Sequence, residues 1–384
     1  MGGARITKKS AGKGGAKDNY FVRFWHWCKW YWNKNWFHKS IVILALIFGL
    51  IAGSTYGVAR WYIWTQEGKP LVLGASFIPA YAKQLGVNPR DTLHAMFTEL
   101  GIKHVRYVSY WSDIEPKQGT YNFKTLDWEF AEANANHAKV TLAIGLRQPR
   151  WPECHPPNWV DTTQPYQQWL PQIEQYMQKV IERYKGNPAL ESYQLENEYF
   201  LKVFGECKNY SRERLVAEYN FVKQQDPGHT VIIARSNNNI GWPINAPTPD
   251  EYGVSVYKRV WVPLIGRYVE YPFPAWFYAA LAGGSELLQG KNMVIHELQA
   301  EPWPPHSKNL VDTTIEEQNG SLSPKRLEGR FTYGEATGIK QMDLWGAEFW
   351  YYRKVKLNNP DLWNVAKQQY QAASEYNAKL SNKD

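Results

Sequence analysis

Tyr193-Gln194-Leu195-Glu196-Asn197-Glu198-Tyr199 reads as a short strand that closes on two acids, and its placement decides the fold. A second run of the same kind, Val294-Ile295-His296-Glu297-Leu298-Gln299, follows it downstream. Working outward from these two, β-branched or apolar runs recur at 71–77, 104–109, 139–146, 190–197, 230–236, 252–257, 292–297 and 340–345. Helical patterns lie between or after them at 89–100, 124–136, 166–185, 211–225, 274–289, 324–338 and 361–380. The Pro-rich link at 240–250 lacks a clear helix. Eight strands separated by crossover helices predict an α/β fold of the (β/α)8 TIM-barrel type over residues 65–384. A doubly wound open sheet is the competing architecture, but no GxGxxG or P-loop follows any strand. In a barrel, chemistry sits at the C-terminal ends of strands. Glu198 and Glu297 fall at or just past the ends of strands four and seven.

The charge of the chain is unevenly distributed. Residues 1–64 hold ten Lys and Arg against a single acid, Asp18, which leaves 34 basic and 35 acidic residues for the rest. The large domain is therefore near neutral and carries no electrostatic footprint for nucleic acid. Between Lys39 and Arg60 lie twenty residues without a formal charge, about the length that crosses a hydrocarbon core as one helix. Nine basic residues precede this span, so the positive-inside rule puts the N-terminus in the cytoplasm and the large domain outside. A cleaved signal peptide, with Val58-Ala59 as its small-residue site, is the alternative; the long Trp-laden leader argues for an uncleaved anchor. The expected order is a disordered basic tail at 1–19, an interfacial segment at 20–38 and a transmembrane helix with linker at 40–64. In the interfacial segment Trp25, Trp27, Trp30, Trp32 and Trp36 alternate with Arg23, Lys29 and Lys34, which suits the headgroup layer. Membrane lipid is thus an expected partner through residues 20–64.

Paired carboxyls on separate strands suit double displacement at a glycosidic bond, where one protonates the leaving oxygen and the other attacks the anomeric carbon. The motifs around them extend this reading. Strand two reads Val105-Arg106-Tyr107-Val108-Ser109-Tyr110-Trp111, followed by Ile114-Glu115-Pro116 and Gly119-Thr120-Tyr121-Asn122-Phe123. Strand three ends in Gly145-Leu146-Arg147 with Trp151-Pro152, strand six in Tyr257 and strand eight in Trp345. Across 70–350 this resembles the retaining glycoside hydrolases of clan A, with Glu196-Asn197-Glu198-Tyr199 similar to the acid/base motif of its β-galactosidase-type families. The resemblance implies Glu198 as general acid/base, Glu297 as nucleophile and Asn197 as the partner of the sugar 2-hydroxyl. It also implies Arg106 and Tyr257 as the groups that keep Glu297 ionised, and a carboxyl separation of about 5–5.5 Å with retention of configuration. Tyr199 departs from the Pro that follows the acid/base in many clan members. Transglycosylation on the same fold, or sugar binding without catalysis, are the rival functions.

Aromatic residues near strand ends, namely Trp111, Trp151, Trp159, Trp303, Trp345 and Trp350, are candidate stacking platforms for sugar, with Trp345 foremost. Glu301 is a candidate for a sugar hydroxyl or for anchoring its own loop, and Glu196 and Glu348 share the same rim. His296 should point away from Glu297 by strand alternation. His155 and His306 fall on rim loops, and 258–274 is a long loop that would form a cleft wall or face the membrane. No acidic or histidine cluster has metal-ligand spacing, so neither metal nor cofactor is expected. Cys28 precedes the span. Cys154 and Cys207 fall in loops of a domain expected in an oxidising setting, where a disulfide between them is expected and two buried free thiols are the alternative.

Overall fold

The computed structural model describes residues 18–236 and 246–382, so the basic residues expected in the tail and part of the 240–250 link lie outside the described residues. Among the described residues, ten strands run in chain order: β1 (Val72–Ser76), β2 (His104–Val108), β3 (Lys139–Ile144), β4 (Leu190–Leu195), β5 (Thr230–Arg235), β6 (Glu251–Val256), β7 (Arg259–Val262), β8 (Arg267–Glu270), β9 (Asn292–Gln299) and β10 (Gln341–Trp345). Eight of them close a parallel barrel in the order β1-β2-β3-β4-β5-β6-β9-β10, with β1 returning to β10 through Val72 opposite Gln341. The strands are buried almost from end to end because helices cover one face and the barrel interior the other. That two-sided burial is why they read as near-continuous apolar runs.

The covering helices start where local chemistry dictates. Asn88 caps Pro89–Thr98 by accepting from the Arg90 N–H, and Ser323 caps Pro324–Glu335 by accepting from Arg326. In both, proline fills the first helical position, where its missing N–H costs nothing. Ser211 caps Arg212–Gln225 in the same way. The span expected at 166–185 opens instead with a 3-10 turn, Tyr166–Gln168, before the helix Leu170–Tyr184.

Residues 258–274 are not an open loop. β7 and β8 form an antiparallel hairpin after β6, and the Tyr271 N–H closes its base on the Lys258 carbonyl. Trp261 packs edge-on against Tyr268 across the two strands. Both runs carry consecutive β-branched and aromatic residues, Val260-Trp261-Val262 and Tyr268-Val269, but are too short to read as strands without their pairing.

The N-terminal stretch folds as two helices, Asp18–Asn33 and Trp36–Thr65. Asn35 accepts from the His38 N–H and starts the second. Lys34 lies over Trp30 at 4.9 Å and Lys29 over Trp25 at 5.8 Å, cation–π contacts of the kind a headgroup layer tolerates. Trp36–Thr65 has 30 residues and is long and apolar enough to cross a membrane. Its length of about 45 Å exceeds the hydrocarbon thickness of about 30 Å. Residues through Gly57 form one compact unit and those from Val58 onward another. The second unit takes in the last two turns of this helix, where Ala59 and Tyr62 are buried. Gly283 permits that packing, since a Cβ there would sit 2.9 Å from Tyr62 Cβ and from Val58 Cγ1.

Cys154 and Cys207 form a disulfide across 53 residues, joining the loop after β3 to the loop after β4. Restricting the unfolded chain over a loop of that length stabilises the fold by about 2–4 kcal/mol. Replacing both cysteines by serine should lower the unfolding free energy by that amount in denaturant titration. An unchanged midpoint would show that the two loops are held without the bridge.

Candidate active site

The strand ends and the loops after β3, β4, β6 and β9 enclose a cavity of about 280 Å³. Glu297 enters it from β9. Its Oε1 accepts from Arg106 Nη2 at 2.8 Å, and its Oε2 accepts from the Tyr257 hydroxyl at 2.8 Å. Arg106 is fully buried on β2, with Nε on Ser76 Oγ at 2.9 Å and Nη1 on Gln194 Oε1 at 3.0 Å. One guanidinium thus ties β1, β2, β4 and β9 together beneath the cavity. Glu297 lies two residues before the end of β9 rather than at it.

A β-bulge corrects the expectation for His296. Val254 pairs with Ile295 but Ser255 pairs with Glu297, and a matching shift occurs against β10 between Met342 and Leu344. The extra residue breaks the two-residue alternation. His296 consequently lies buried beside Ser255 Oγ, 3.5 Å from its Nε2, instead of on the face opposite Glu297. Burial first, and then the Arg106 charge, hold its imidazole neutral.

Glu198 stands in a different environment. It follows β4 with a left-handed φ of 42°, and Glu196 two residues earlier has φ 54°. Non-glycine residues held there cost about 1–3 kcal/mol each and persist only when their surroundings over-determine them. Glu196 supplies that constraint. Its carboxylate accepts from the N–H groups of Leu146 and Arg147 and from both terminal nitrogens of Arg214. Gly145 makes room for it, because a Cβ at this residue would lie 2.5 Å from Glu196 Oε1. Glu196 is therefore a clamp and Glu198 the acid that it presents. Glu198 is buried, and its Oε1 has no hydrogen-bond partner among the described residues. Burial, reinforced by the charges of Glu297 and Glu153 and opposed by the Ser255 hydroxyl and Arg147, pushes its carboxyl up to about 8.

Beside these, Asn197 bonds Gln194 Nε2 through Oδ1 and Glu153 Oε2 through Nδ2, both at 2.9 Å. Trp345 lines the cavity, donates from Nε1 to Glu301 Oε1 at 2.9 Å, and carries the Arg150 guanidinium 4.3 Å from its ring centre. Arg150 also grips both oxygens of Glu301 at 3.0 and 3.1 Å. Glu301 thus anchors the rim while lining the cavity. Trp303 lines it as well and meets Tyr257 edge-on.

Comparison with known proteins fits this geometry. Residues 84–226 match the Glyco_hydro_42 family model, described as β-galactosidase, a span that includes Arg106, Asn197 and Glu198 and stops before Glu297. No curated protein sequence matches the chain. Among solved structures, the β-galactosidase from Rahnella sp. R3 superposes with a TM-score of 0.54 at 14% identity, over 80% of this chain and 56% of that one. The chain thus spans little more than half the length of that enzyme. Xylanase 10B from Thermotoga maritima gives 0.54 at 15% identity, over 80% of this chain and 98% of its own. A GH5_18 protein from Bifidobacterium longum subsp. longum, solved in complex with Manβ1-4GlcNAc, gives 0.55 at 12%, over 80% and 78%. At these identities the superpositions establish the fold. Together with the family match they support a glycosidase.

Several residues expected at the site lie elsewhere. Trp111 is fully buried in the turn Trp111–Ile114, bonded to Glu115 Oε2 and stacked on Tyr176, so it belongs to the core and not to the cleft. Trp159 packs edge-on against it, and Trp350 is buried with Nε1 on the Ala300 carbonyl. Glu348 holds the Ile78 N–H, and burial pushes its carboxyl up to about 7. His155 stacks on Tyr110, and His306 packs over Trp261. Trp151, by contrast, reaches the cavity rim and is half exposed. The residues that sequence reasoning passed over are Glu153, Arg150, Ser255 and Gln194. Glu153 was findable, being an acid next to the bridged Cys154 in a loop already marked by Trp151-Pro152.

Arg106→Leu should strand the buried Glu297 charge and cost about 3–5 kcal/mol of stability. Adding Glu297→Gln to that variant should recover part of the loss in a double-mutant denaturation cycle. Additive effects of the two changes would rule out direct coupling between them.

Proposed function

We propose that the protein is a membrane-anchored retaining β-glycosidase that cleaves oligo- or polysaccharide outside the membrane. The observation that carries this is the unequal treatment of two acids lining one cavity. Glu297 receives a guanidinium and a phenol, one donor on each carboxyl oxygen, which fix it in the cavity ready to attack the anomeric carbon. Glu198 has an unpartnered oxygen in a buried, acid-rich position, which favours the protonated form that a leaving group requires. In the first step Glu198 gives its proton to the glycosidic oxygen as Glu297 Oε forms the covalent glycosyl ester. In the second, Glu198 takes a proton from water, which attacks the same carbon and releases Glu297. Asn197, beside Glu198, would bond the sugar 2-hydroxyl, and Trp345 would lie under the ring of the reacting sugar.

The anchor reading rests on the apolar Trp36–Thr65 helix and on the basic, Trp-rich segment before it. It places the N-terminus in the cytoplasm and the barrel on the far side, where the disulfide would persist. Protease added to intact cells should degrade the barrel while sparing the basic leader; the reverse pattern would invert this topology.

Aryl β-glycosides test the chemistry. Turnover should be lost in Glu297→Ala and restored by azide as a glycosyl azide of inverted configuration; full activity in that variant would remove Glu297 from the mechanism. The pH dependence follows from Glu198. Its raised carboxyl keeps the catalytic proton below about pH 8 and loses it above. For a glycoside with a poor leaving group, kcat/KM should fall about tenfold per pH unit on that limb. Glu198→Gln should abolish the limb along with most of the activity, and a limb that persists would assign it to another group.

A further inference from the structure

Glu153 is a buried acid at the cavity that the mechanism above does not use. It sits in the loop after β3 with a left-handed φ of 72°, adjacent to the disulfide-bonded Cys154. Its Oε2 accepts from Asn197 Nδ2 at 2.9 Å. The nearest cation, Arg147 Nη2, is 3.6 Å from that same oxygen, while Arg147 Nη1 is spent on the Phe204 carbonyl and the Tyr210 hydroxyl. No hydrogen bond reaches Glu153 Oε1 from the described residues, although the side chain is 97% buried and lines the cavity. Burial pushes its carboxyl up to about 7, the Arg147 charge opposing and Glu297 adding to the effect.

The surrounding charge is lopsided. Among the described residues, four acids line the cavity, namely Glu153, Glu198, Glu297 and Glu301, against one cation, Arg150. Arg150 is committed to both oxygens of Glu301, and Arg106 to Glu297. Glu153 is the acid that stands beside Asn197, the group assigned to the sugar 2-position. A neutral hydroxyl there adds no counter-charge to the Arg147 guanidinium that lies 3.6 Å from Glu153 Oε2. An ammonium brings three donors and no acceptor need. It would find Glu153 Oε1 and the second lone pair of Asn197 Oδ1, whose first is taken by Gln194 Nε2. An N-acetyl group would remove the charge and place a methyl against the carboxylate.

We propose that Glu153 is a specificity determinant that binds the ammonium of a 2-amino-2-deoxy sugar in the subsite where Glu297 attacks. The substrate class is then a β-glycoside of a non-acetylated amino sugar. This rests on the glycosidase reading for the identity of the subsite, and its test separates the two. Binding of free glucosamine and glucose to the full chain in detergent is measured by calorimetry, independently of turnover. Glucosamine should bind at least about tenfold more tightly, the scale of one hydrogen bond to a charged group. Glu153→Gln should erase that preference, and Glu153→Asp, which keeps the charge, should retain part of it. A wild-type protein that binds glucose as well as glucosamine overturns the proposal, as does a preference that survives Glu153→Gln. Turnover of an aryl 2-amino-2-deoxy-β-glucoside or β-galactoside above the parent sugar supports both readings. A binding preference with no turnover of any aryl glycoside supports the ammonium site and overturns the glycosidase reading alone.

Discussion

A single guanidinium buried inside the barrel organises most of what surrounds it. Arg106 is fully buried, so its charge and donors must be met by protein groups. Ser76, Gln194 and Glu297 meet them, one from each of three other strands. Each of those acceptors is thereby fixed in turn. Gln194 has its Oε1 on Arg106 and its Nε2 on Asn197, so the orientation of the Asn197 amide is inherited from the ion pair two bonds away. Asn197 passes the order on to Glu153. The chain of bonds from Ser76 to Glu153 crosses the barrel and ends in the loop after β3.

The same arrangement separates the behaviour of the acids. Glu297 takes the Arg106 guanidinium for itself, while burial first, and then the Glu297 charge, raise both Glu198 and Glu153. Neither of those has a bonded cation of its own, since Arg147 reaches Glu153 only at 3.6 Å. Like charges in a dry cavity cannot all be ionised at once. Glu198 and Glu153 are therefore pushed toward the protonated form, and a cation brought beside either would shift it back. Burial and the position of one arginine together give these acids unequal surroundings.

How much of this was legible in the chain depends on the kind of information needed. The barrel strands were legible because burial on both faces leaves uninterrupted apolar runs, and the acids at 198 and 297 because charge at the end of such a run is conspicuous. The bulge at His296 was not, since a one-residue shift in pairing is a property of three strands together and leaves no mark on one. The β7–β8 hairpin was hidden for a similar reason, as four-residue strands acquire their identity from each other. Trp111 and Trp345 illustrate the limit for side chains. Trp111 follows β2 and Trp345 ends β10, and the helical turn Trp111–Ile114 carries the first into the core while the second lines the cavity. Periodicity reports which strand a residue ends, and the turn after it decides where the ring goes.

Tyr199 shows how a departure from a family pattern can be built into the support of the site. Many clan A enzymes carry Pro after their acid/base; the residue after Glu198 here is a fully buried tyrosine whose hydroxyl bonds the Ser211 carbonyl. Its ring centre lies 4.9 Å from the Arg214 guanidinium, which also rests over Trp169 at 5.3 Å. Arg214 is the cation that clamps Glu196, and Glu196 holds the left-handed turn on which Glu198 is presented. A proline would stiffen the backbone after Glu198 but leave that arginine without one of its aromatic faces. Tyr199 instead acts through side-chain contact: it encloses Arg214, Arg214 pins Glu196, and the strained turn is maintained from behind. The constraint that proline would impose directly on the chain is supplied by packing, so the missing proline is no argument against an acid presented at Glu198.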